Sequence, residues 1–263
     1  MARSDDVRDR PLGVELLKER LVLWRGPGGA VIAAPDKCTH RWAELHRGTV
    51  QDGCLVCPSH GWTFGEHGRC IRVRLRHEIP HEAHLTTFPC DERYELVWVC
   101  LGAPETEIPD VPVDDDAGYH RAGAATATWK APAPRIVEAL LEQPPPAETA
   151  ARIEIPFTYR RSAYRHDGVR SEHLVTCAPV DAMTSTVSTL VWTDDPARSA
   201  EDLLQADLVA AAPVKRAVEA VTGMYELDER LTGDDATSAA TSAATSAAAA
   251  WRRALLATMS ATV

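Results

Sequence analysis

Two short segments of the chain each carry one cysteine and one histidine at metal-ligand spacing. Cys38-Thr39-His40 is a Cys-x-His segment, and Cys57-Pro58-Ser59-His60-Gly61-Trp62 begins with Cys-x-x-His. The sixteen residues 41–56 separate the two segments, so each lies on its own loop. A metal centre that takes ligands from both loops requires the two loops to lie next to each other in the folded chain. This pattern restricts the fold of its region more than any other feature of the sequence.

Two cysteines and two histidines are the ligand set of a Rieske [2Fe–2S] centre. In such a centre Cys38 and Cys57 are expected to bind one iron, and His40 and His60 the other. The alternative is a Cys₂His₂ zinc site, because the same side chains bind zinc tetrahedrally. Zinc fingers usually pair cysteine with cysteine and histidine with histidine, whereas each segment here offers one of each. The sequence therefore predicts the iron–sulfur cluster.

The chain around these segments predicts a domain of short strands. Two apolar runs, 21–24 and 30–33, flank a glycine-rich turn and predict a β-hairpin. Residues 71–76 alternate apolar and arginine side chains and predict a strand with one apolar and one basic face. The apolar run 94–101 closes the unit, and an acidic, proline-rich linker follows from 103 to about 118.

The second half predicts a mixture of strands and helices. Strands are expected at 124–129, 153–165, 173–177 and 184–193, and helices at 136–143 and 201–221. Pro144-Pro145-Pro146 is expected to end the first helix. Residues 237–250 repeat Thr-Ser-Ala-Ala and predict a low-complexity insertion. Together the two halves predict an α+β protein.

Composition and charge exclude several classes of protein. The 263 residues are 45% hydrophobic, enough to fill a core. Twenty-eight Lys and Arg against 38 Asp and Glu give a net charge of −10, which argues against nucleic-acid binding. No apolar run is long enough to span a membrane. An acidic start and an odd count of seven cysteines predict a cytoplasmic location and metal chemistry rather than disulfides.

The sequence resembles the Rieske non-haem iron oxygenases, in particular catalytic (alpha) subunits of the vanillate demethylase and phthalate dioxygenase type. Besides the two ligand segments, the resemblance rests on 21–25, 48, 68–70, 92–94 and 97–99, and less strongly on 131–138, 155–158, 178–181 and 251–253. It implies an all-β Rieske domain, 1–110, and a shortened helix-grip (START-like) antiparallel sheet domain, 111–263, which contains the insertion 237–250. It also implies a head-to-tail trimer in which each cluster supplies electrons to a mononuclear iron in the neighbouring subunit.

The sequence departs from that family at the mononuclear iron. The family pattern is Asp-x-x-His-x-x-x-x-His, and its two histidines form a facial triad with a later aspartate. Pro145 and Ala150 occupy the two histidine positions, and no two of the ten histidines in the chain are five residues apart. The site is therefore expected to be lost and Fe(II) absent. Asp207 corresponds to the carboxylate ligand as a remnant, and Glu142 to the acid between cluster and iron, a candidate electron relay.

Several other residues have simpler interpretations. His120, His166 and His173 are the other histidines of the second half and are poor candidates to rebuild the iron site. His77, His81 and His84 are expected in a solvated loop. Arg69, Arg72, Arg74 and Arg76 are expected on a solvated strand face or at a docking site for an acidic electron donor. Cys54, Cys70, Cys90, Cys100 and Cys177 are expected to be small buried side chains, and Trp62 to shield the cluster or fill the core.

The resulting expectation is an electron-transfer and assembly subunit of a multicomponent Rieske-type oxygenase, which passes electrons to a catalytic partner. The partner is expected to be a homologous subunit with an intact iron site in a mixed trimer, and a ferredoxin or flavin-containing reductase to supply electrons. One alternative is a self-sufficient mono- or dioxygenase, a hydroxylase or demethylase with atypical iron ligands. Another is a non-enzymatic redox sensor whose helix-grip half binds a ligand.

Overall fold

The computed structural model describes residues 2–74, 78–142, 149–154, 157–164 and 168–220, with the backbone alone for 149–154 and 164. The chain divides into two compact units, Met1–Ile108 and Pro109–Val263. Among the described residues, no helix is both long and apolar enough to cross a lipid bilayer.

The described part of the first unit consists of short strands in three antiparallel sheets. The sheets have the strand orders β1-β10-β9, β2-β3-β4 and β5-β6-β7-β8. The strands are β1 (Ala2–Arg3), β2 (Leu12–Leu16), β3 (Glu19–Arg25), β4 (Val31–Pro35), β5 (Thr49–Gln51), β6 (Cys54–Val56), β7 (Thr63–Phe64), β8 (Cys70–Arg72), β9 (Cys90–Arg93) and β10 (Leu96–Val99).

The predicted glycine-turn hairpin is confirmed as β3 and β4. Trp24 and Ile32 are paired residues of this hairpin, and Arg25 is paired with Val31. A second hairpin, β2–β3, was not predicted, because its turn is made by Leu17 and Lys18 rather than by glycine. Both turn residues have positive φ, which is the geometry of the tight two-residue turn that joins antiparallel strands.

The strand predicted at 71–76 is shorter and has a different buried face. Only β8, Cys70–Arg72, is a strand here. Cys70 is buried, whereas Ile71 is 52% exposed. A register shift between Thr63 and Phe64 on the neighbouring strand moves the pairing by one position. A one-residue shift exchanges the two faces of a strand, so the predicted apolar face is wrong at Ile71. Leu75, Arg76 and His77 lie outside the described residues.

The run predicted as one strand at 94–101 is also divided differently. Tyr94 and Glu95 have positive φ and form the turn between β9 and β10, and only Leu96–Val99 is strand. The turn is closed from outside by the indole of Trp98, whose Nε1 donates to the carbonyl of Arg93 at 3.1 Å.

The second unit contains a six-stranded antiparallel sheet and two helices among its described residues. The order along the sheet is β11-β16-β15-β14-β13, and β12 also pairs with β16. The elements are β11 (His120–Arg121), β12 (Ala125–Trp129), α1 (Ala133–Leu141), β13 (Thr149–Glu154), β14 (Thr158–Tyr164), β15 (Arg170–Pro179), β16 (Ser185–Thr193) and α2 (Ala200–Glu219). With strands in both units and these two helices, the predicted α+β class is confirmed.

Both helices were predicted, and local chemistry explains their bounds. Helix α1 begins earlier than predicted because Pro134 is in its first turn, where the missing amide costs nothing, and the helix ends at Leu141. Helix α2 begins with a capping box, in which the Ser199 hydroxyl and the Asp202 carboxylate each bond the other residue's amide. The core between the helices and the sheet combines residues of α1 and α2 with Cys177 and Val187 of the sheet.

The segment predicted as a linker is partly folded onto the second unit. Pro112–Asp115 forms a single 3₁₀ turn, and the Asp114 carboxylate accepts from the Trp192 indole and the Arg121 guanidinium, each at 2.7 Å. Val111 is only 2% exposed. Part of the acidic segment 103–118 is therefore structured, at Pro112–Asp115.

Candidate metal centre

The first ligand loop is closed by two backbone hydrogen bonds that begin and end at Cys38. The amide of Cys38 donates to the carbonyl of Ala43, and the amide of Trp42 donates to the carbonyl of Cys38, both at 2.9 Å. Trp42 has a φ of 60°, a left-handed conformation that is costly for a residue with a side chain. The loop is thus held in a tight turn that presents the residues after Cys38 together.

The second ligand loop repeats this closure with the same spacing. The amide of Cys57 donates to the carbonyl of Trp62 at 2.8 Å, five residues on, and the amide of Gly61 donates to the carbonyl of Cys57 at 3.1 Å. Gly61 has a φ of 66°, so it occupies the position that Trp42 holds in the first loop. Two loops of the same backbone geometry therefore carry the four candidate ligands.

The four candidate ligands form a pair of thiols and a pair of imidazoles. Cys38 and Cys57 are buried, at 3% and 2% exposure, and their sulfurs are hydrogen-bonded to each other. His40 and His60 are half-buried, with ring centroids 4.7 Å apart. The indole of Trp62 stacks on His40 at 4.6 Å, with the ring planes 4° apart. Trp62 is also part of the core of this unit, so the expected packing role is confirmed.

The surroundings of the thiols favour a thiolate at Cys57. The hydrogen bond from Cys38 lowers the pKa of the Cys57 thiol to about 6, against the opposing effect of burial, with further help from the backbone amides of Ser59 and His60. The same pair interaction, together with burial, raises the pKa of Cys38. Thiolates are the form in which cysteine binds iron.

The donor set fits a [2Fe–2S] cluster. Two thiolates on the buried side and two imidazoles on the more exposed side provide a pair of ligands for each of two irons. A zinc ion would instead require all four donors to converge on one point. Within the described ranges, no three or more His, Cys, Asp or Glu side chains are placed to hold a single metal ion. One pair of thiols and one pair of imidazoles is the arrangement that a cluster of two irons requires.

A buried carboxylate supports the base of the first loop. Asp36 accepts from the backbone amide of His46 at 2.7 Å and contacts the ring Nδ1 of His46 at 2.5 Å. Its side chain is 1% exposed, and the Arg20 guanidinium lies 3.5 Å away. These contacts join the residues before Cys38 to the 3₁₀ turn Leu45–Arg47 that follows the loop. Sequence reasoning missed this support because the partners are ten or more residues apart.

Cationic side chains surround both ligand loops. Lys37 Nζ lies 3.8 Å from the ring of Trp42, which is 70% exposed and was not singled out from the sequence. Arg72 donates to Thr63 Oγ1 and Gln51 Oε1, both at 3.3 Å. The stem of Arg74 lies near Gly61. Arg69 is exposed as well.

The turn at Trp42 was missed from the sequence. Trp42 has a positive φ, and glycine is the usual sequence signal of that conformation.

In the second unit, Asp207 lies in a network of polar side chains. Its carboxylate accepts from Nδ1 of buried His173, and Arg161 Nη2 lies 3.2 Å from its Oδ1. The other ring nitrogen of His173 is 2.9 Å from the hydroxyl of Ser171. Burial by itself raises the pKa of Asp207, but the His173 hydrogen bond and the charges of His173 and Arg161 lower it below its usual value. This network was not predicted.

The other positions expected at an iron site lie on other elements or outside the described residues. Ala150 lies in β13, where it pairs with Ser162 of β14, and Pro145 is outside the described residues. Glu142 is exposed at the end of α1, 4.0 Å from Arg135. His120 contacts the carbonyl of Arg198 at 3.1 Å. His166 and the segments 237–250 and 251–253 also lie outside the described residues.

The remaining singled-out residues are dispersed. His81 and His84 are exposed. Cys70 and Cys177 are buried as predicted, whereas the expectation of burial is wrong for Cys54, Cys90 and Cys100, which are partly exposed.

Comparison with known proteins identifies the class of the first unit. Residues 1–89 match the family model of the Rieske [2Fe-2S] domain. The same region resembles curated proteins. Over 103 residues the chain is 43% identical to methylxanthine N1-demethylase NdmA of Pseudomonas putida, covering 38% of this chain and 29% of that protein. Over 111 residues it is 37% identical to the vanillate O-demethylase oxygenase subunit of a Pseudomonas species, covering 40% and 29%.

The likeness in fold extends over both units. The NdmA QL mutant with caffeine, from Pseudomonas putida CBB5, superposes with a TM-score of 0.80 at 22% identity, covering 97% of this chain and 87% of that one. Apo dicamba monooxygenase superposes with a TM-score of 0.74 at 19% identity, covering 100% and 97%. The matched sequence spans only about three tenths of the curated relatives above.

The first unit is therefore a Rieske [2Fe–2S] domain. The relatives that match this region include a demethylase and an oxygenase subunit, and the likeness of the whole chain to solved structures shows a shared fold. The resemblance inferred from the sequence is confirmed for the Rieske domain.

Proposed function

We propose that this chain is an electron-transfer and assembly subunit of a multicomponent Rieske-type oxygenase, whose own mononuclear iron site has been lost. It passes electrons to a catalytic partner subunit. The observation that carries this proposal is the contrast between the four paired donors of the first unit and the position of Asp207 beside Arg161 in the second.

In this proposal Cys38 and Cys57 bind one iron of the cluster, and His40 and His60 bind the other. A bound [2Fe–2S] cluster accepts and releases one electron at a time. The protein holds the thiolate pair away from water and leaves the imidazole pair closer to the surface. Electrons are therefore expected to enter and leave on the histidine side.

The proposed loss of the mononuclear iron is supported by three features of the second unit. Alanine at 150 has no donor atom, and its backbone belongs to a strand. Proline at 145 has no donor atom either. The remaining carboxylate, Asp207, is already neutralised by Arg161, and a guanidinium beside a carboxylate opposes the binding of a second cation there.

A chain with a cluster but no catalytic iron needs an electron acceptor. We assign that role to a homologous subunit with an intact iron site, in a mixed trimer, and electron supply to a ferredoxin or flavin-containing reductase. The names of two relatives support a multicomponent arrangement: a vanillate O-demethylase oxygenase subunit and an iron-sulfur subunit of a toluene-4-sulfonate monooxygenase system. The cations around the ligand loops suit an acidic electron donor.

A self-sufficient oxygenase is the second candidate, favoured by the likeness in fold to NdmA over 97% of the chain. Iron content separates the two candidates. The proposed subunit contains two irons and two acid-labile sulfides per chain, whereas a self-sufficient oxygenase contains three irons.

The test combines iron content with turnover. The full chain is prepared anaerobically, and product is measured with reductant and oxygen in the presence and absence of a homologous subunit that has both histidines. The proposal expects two irons and product only from the mixture. Product from the chain alone, with a third iron bound, would overturn it. Restoring histidines by Pro145→His and Ala150→His is not expected to add the third iron, because the neighbouring prolines remain.

A further inference from the structure

Three side chains in the second unit form a continuous hydrogen-bonded chain that the proposed electron transfer does not use. Ser171 Oγ lies 2.9 Å from His173 Nε2, and His173 Nδ1 bonds the Asp207 carboxylate. Ser171 and His173 are two residues apart on β15, so they project from the same face of the sheet. Asp207 reaches them from α2.

The direction of these hydrogen bonds follows from the acceptor at one end. A carboxylate only accepts, so Asp207 accepts a hydrogen bond from Nδ1 of His173. In the tautomer that carries its hydrogen on Nδ1, the lone pair of Nε2 faces the hydroxyl of Ser171, which lies 2.9 Å away. This order of serine, histidine and aspartate activates a serine oxygen by general-base catalysis.

The surroundings keep this chain in place and leave room at the serine. Arg161 Nη2 lies 3.2 Å from Asp207 Oδ1 and 3.3 Å from His173 Nδ1, so it holds the carboxylate beside the imidazole. The cross-strand neighbours of Ser171 are Ala163 and Thr193, which both have short side chains. His173 is 4% exposed, whereas Ser171 is only half-buried. The serine is therefore the more accessible member of this chain, and the histidine is the better shielded.

We propose that Ser171 is a nucleophile that accepts an acyl group from activated esters, with His173 as general base and Asp207 as its positioning residue. Ser171 Oγ forms a bond to the ester carbonyl carbon, and its proton passes to His173 Nε2. The bond from that carbon to the leaving oxygen breaks, and the leaving group departs with the electron pair. It takes the proton from His173, or it leaves as the anion while His173 releases the proton to water. The products are an acyl-serine and the free alcohol or phenol.

The test uses p-nitrophenyl acetate with the full chain. Release of p-nitrophenolate is followed at saturating protein, and peptide mass spectrometry locates the acetyl group. Wild type is expected to gain one acetyl group on the peptide that contains Ser171. Ser171→Ala is expected to lose it. Asp207→Asn removes the charge that fixes the imidazole tautomer, so the rate of acetylation is expected to fall roughly 100-fold.

The matched control is Ser162→Ala, a half-buried serine on β14 that is paired with Glu172 instead of the base. It is expected to be acetylated as fast as wild type. Circular dichroism confirms that each variant is folded, and if Asp207→Asn does not fold, His173→Gln takes its place. No acetyl group on Ser171 in wild type, or an unchanged rate in whichever of these two variants is measured, would overturn the proposal. This inference rests on the proposed loss of the mononuclear iron, because Asp207 cannot bind iron and position His173 at once. Iron content tests that loss separately from the acetylation of Ser171.

Discussion

The two units of this chain assemble their polar sites in different ways. In the Rieske unit, each ligand loop is closed by backbone hydrogen bonds between residues four and five apart, as from Cys38 to Trp42 and Ala43. In the second unit, Arg161, His173 and Asp207 come from three elements, and Arg161 is 46 residues from Asp207. The first site depends on local backbone geometry, and the second depends on the packing of α2 against the sheet.

The two sites also differ in how their charges are balanced. The first offers two thiols and two imidazoles, which gain a favourable partner when a metal cluster binds. In the second, the Asp207 carboxylate already has a cationic partner within the chain. This internal cation supports the proposed loss of the mononuclear iron, because Arg161 offsets the carboxylate charge that an iron would otherwise balance.

The largest expected effect is the loss of the cluster from the Rieske unit. Cys57→Ser removes a thiolate that iron requires, so the purified protein is expected to be colourless. Cys54→Ser is the matched control, because Cys54 is nearby and partly exposed. Its sulfur donates to the backbone carbonyl of Asp52. This variant is expected to remain red-brown. Iron and sulfide analysis checks both variants. A cluster retained in Cys57→Ser would contradict the assignment of Cys57 as a ligand.

The backbone dependence of the first site is tested at a glycine. A Cβ on Gly48 would lie 2.1 Å from the carbonyl oxygen of Val56, a backbone atom that cannot turn aside. Gly48→Ala is therefore expected to lower the free energy of unfolding by about 3 kcal/mol, as overpacking does. A Cβ on Gly28 meets nothing within 4 Å, so Gly28→Ala is the control with little expected change. Urea unfolding measures both, and equal stabilities would contradict the predicted clash.

The difference between the sites explains what the sequence could predict. The ligand loops were identified because donors and turn residues lie within six positions, as in Cys57 to Trp62. The hairpin at Gly26–Gly29 was found for the same reason. The β2–β3 turn was missed because Leu17 and Lys18 adopt positive φ without a glycine or asparagine signal. The face of β8 was wrong because the register shift depends on its partner strand.

The polar network of the second unit could not be predicted. His173 was considered as a single histidine, and Asp207 as a remnant ligand. Their contact depends on where α2 crosses the sheet, which the spacing of apolar residues does not specify. The strand pairing that puts Arg161 opposite His173 is likewise a long-range feature. A buried histidine with a carboxylate partner is recognised only after the packing is known.

The second site should be sensitive to charge but independent of the cluster. Asp207→Asn leaves Arg161 and His173 without a carboxylate, at a position where all three side chains are mostly buried. The free energy of unfolding of the second unit is expected to fall by roughly 2 kcal/mol, less than for a fully buried pair. The visible spectrum of the cluster is expected to be unchanged. Thermal unfolding and the spectrum check this together, and loss of the cluster in this variant would show that the two sites are coupled.

The smallest expected effect comes from an ion pair of the Rieske unit. Arg25 binds both carboxylate oxygens of Glu92 at 2.9 Å and donates to the carbonyls of Val7 and Ser4, so it joins β3, β9 and the start of the chain. The hydrogen bond from Arg25 lowers the pKa of Glu92, against the opposing effect of burial.

A carboxylate with a lowered pKa stabilises the folded state above its unfolded pKa of about 4.3, and this contribution is lost as the pH falls through the folded pKa. Glu92→Gln is therefore expected to lower the free energy of unfolding by about 1 kcal/mol at pH 7, a modest value because both side chains are partly exposed. The difference from wild type should shrink below about pH 4.3. Urea unfolding of both proteins across this range measures it, with Glu95→Gln on the adjacent exposed turn as control. A difference that grows in acid would contradict the assigned role of Arg25, since protonation of Glu92 makes the two proteins alike.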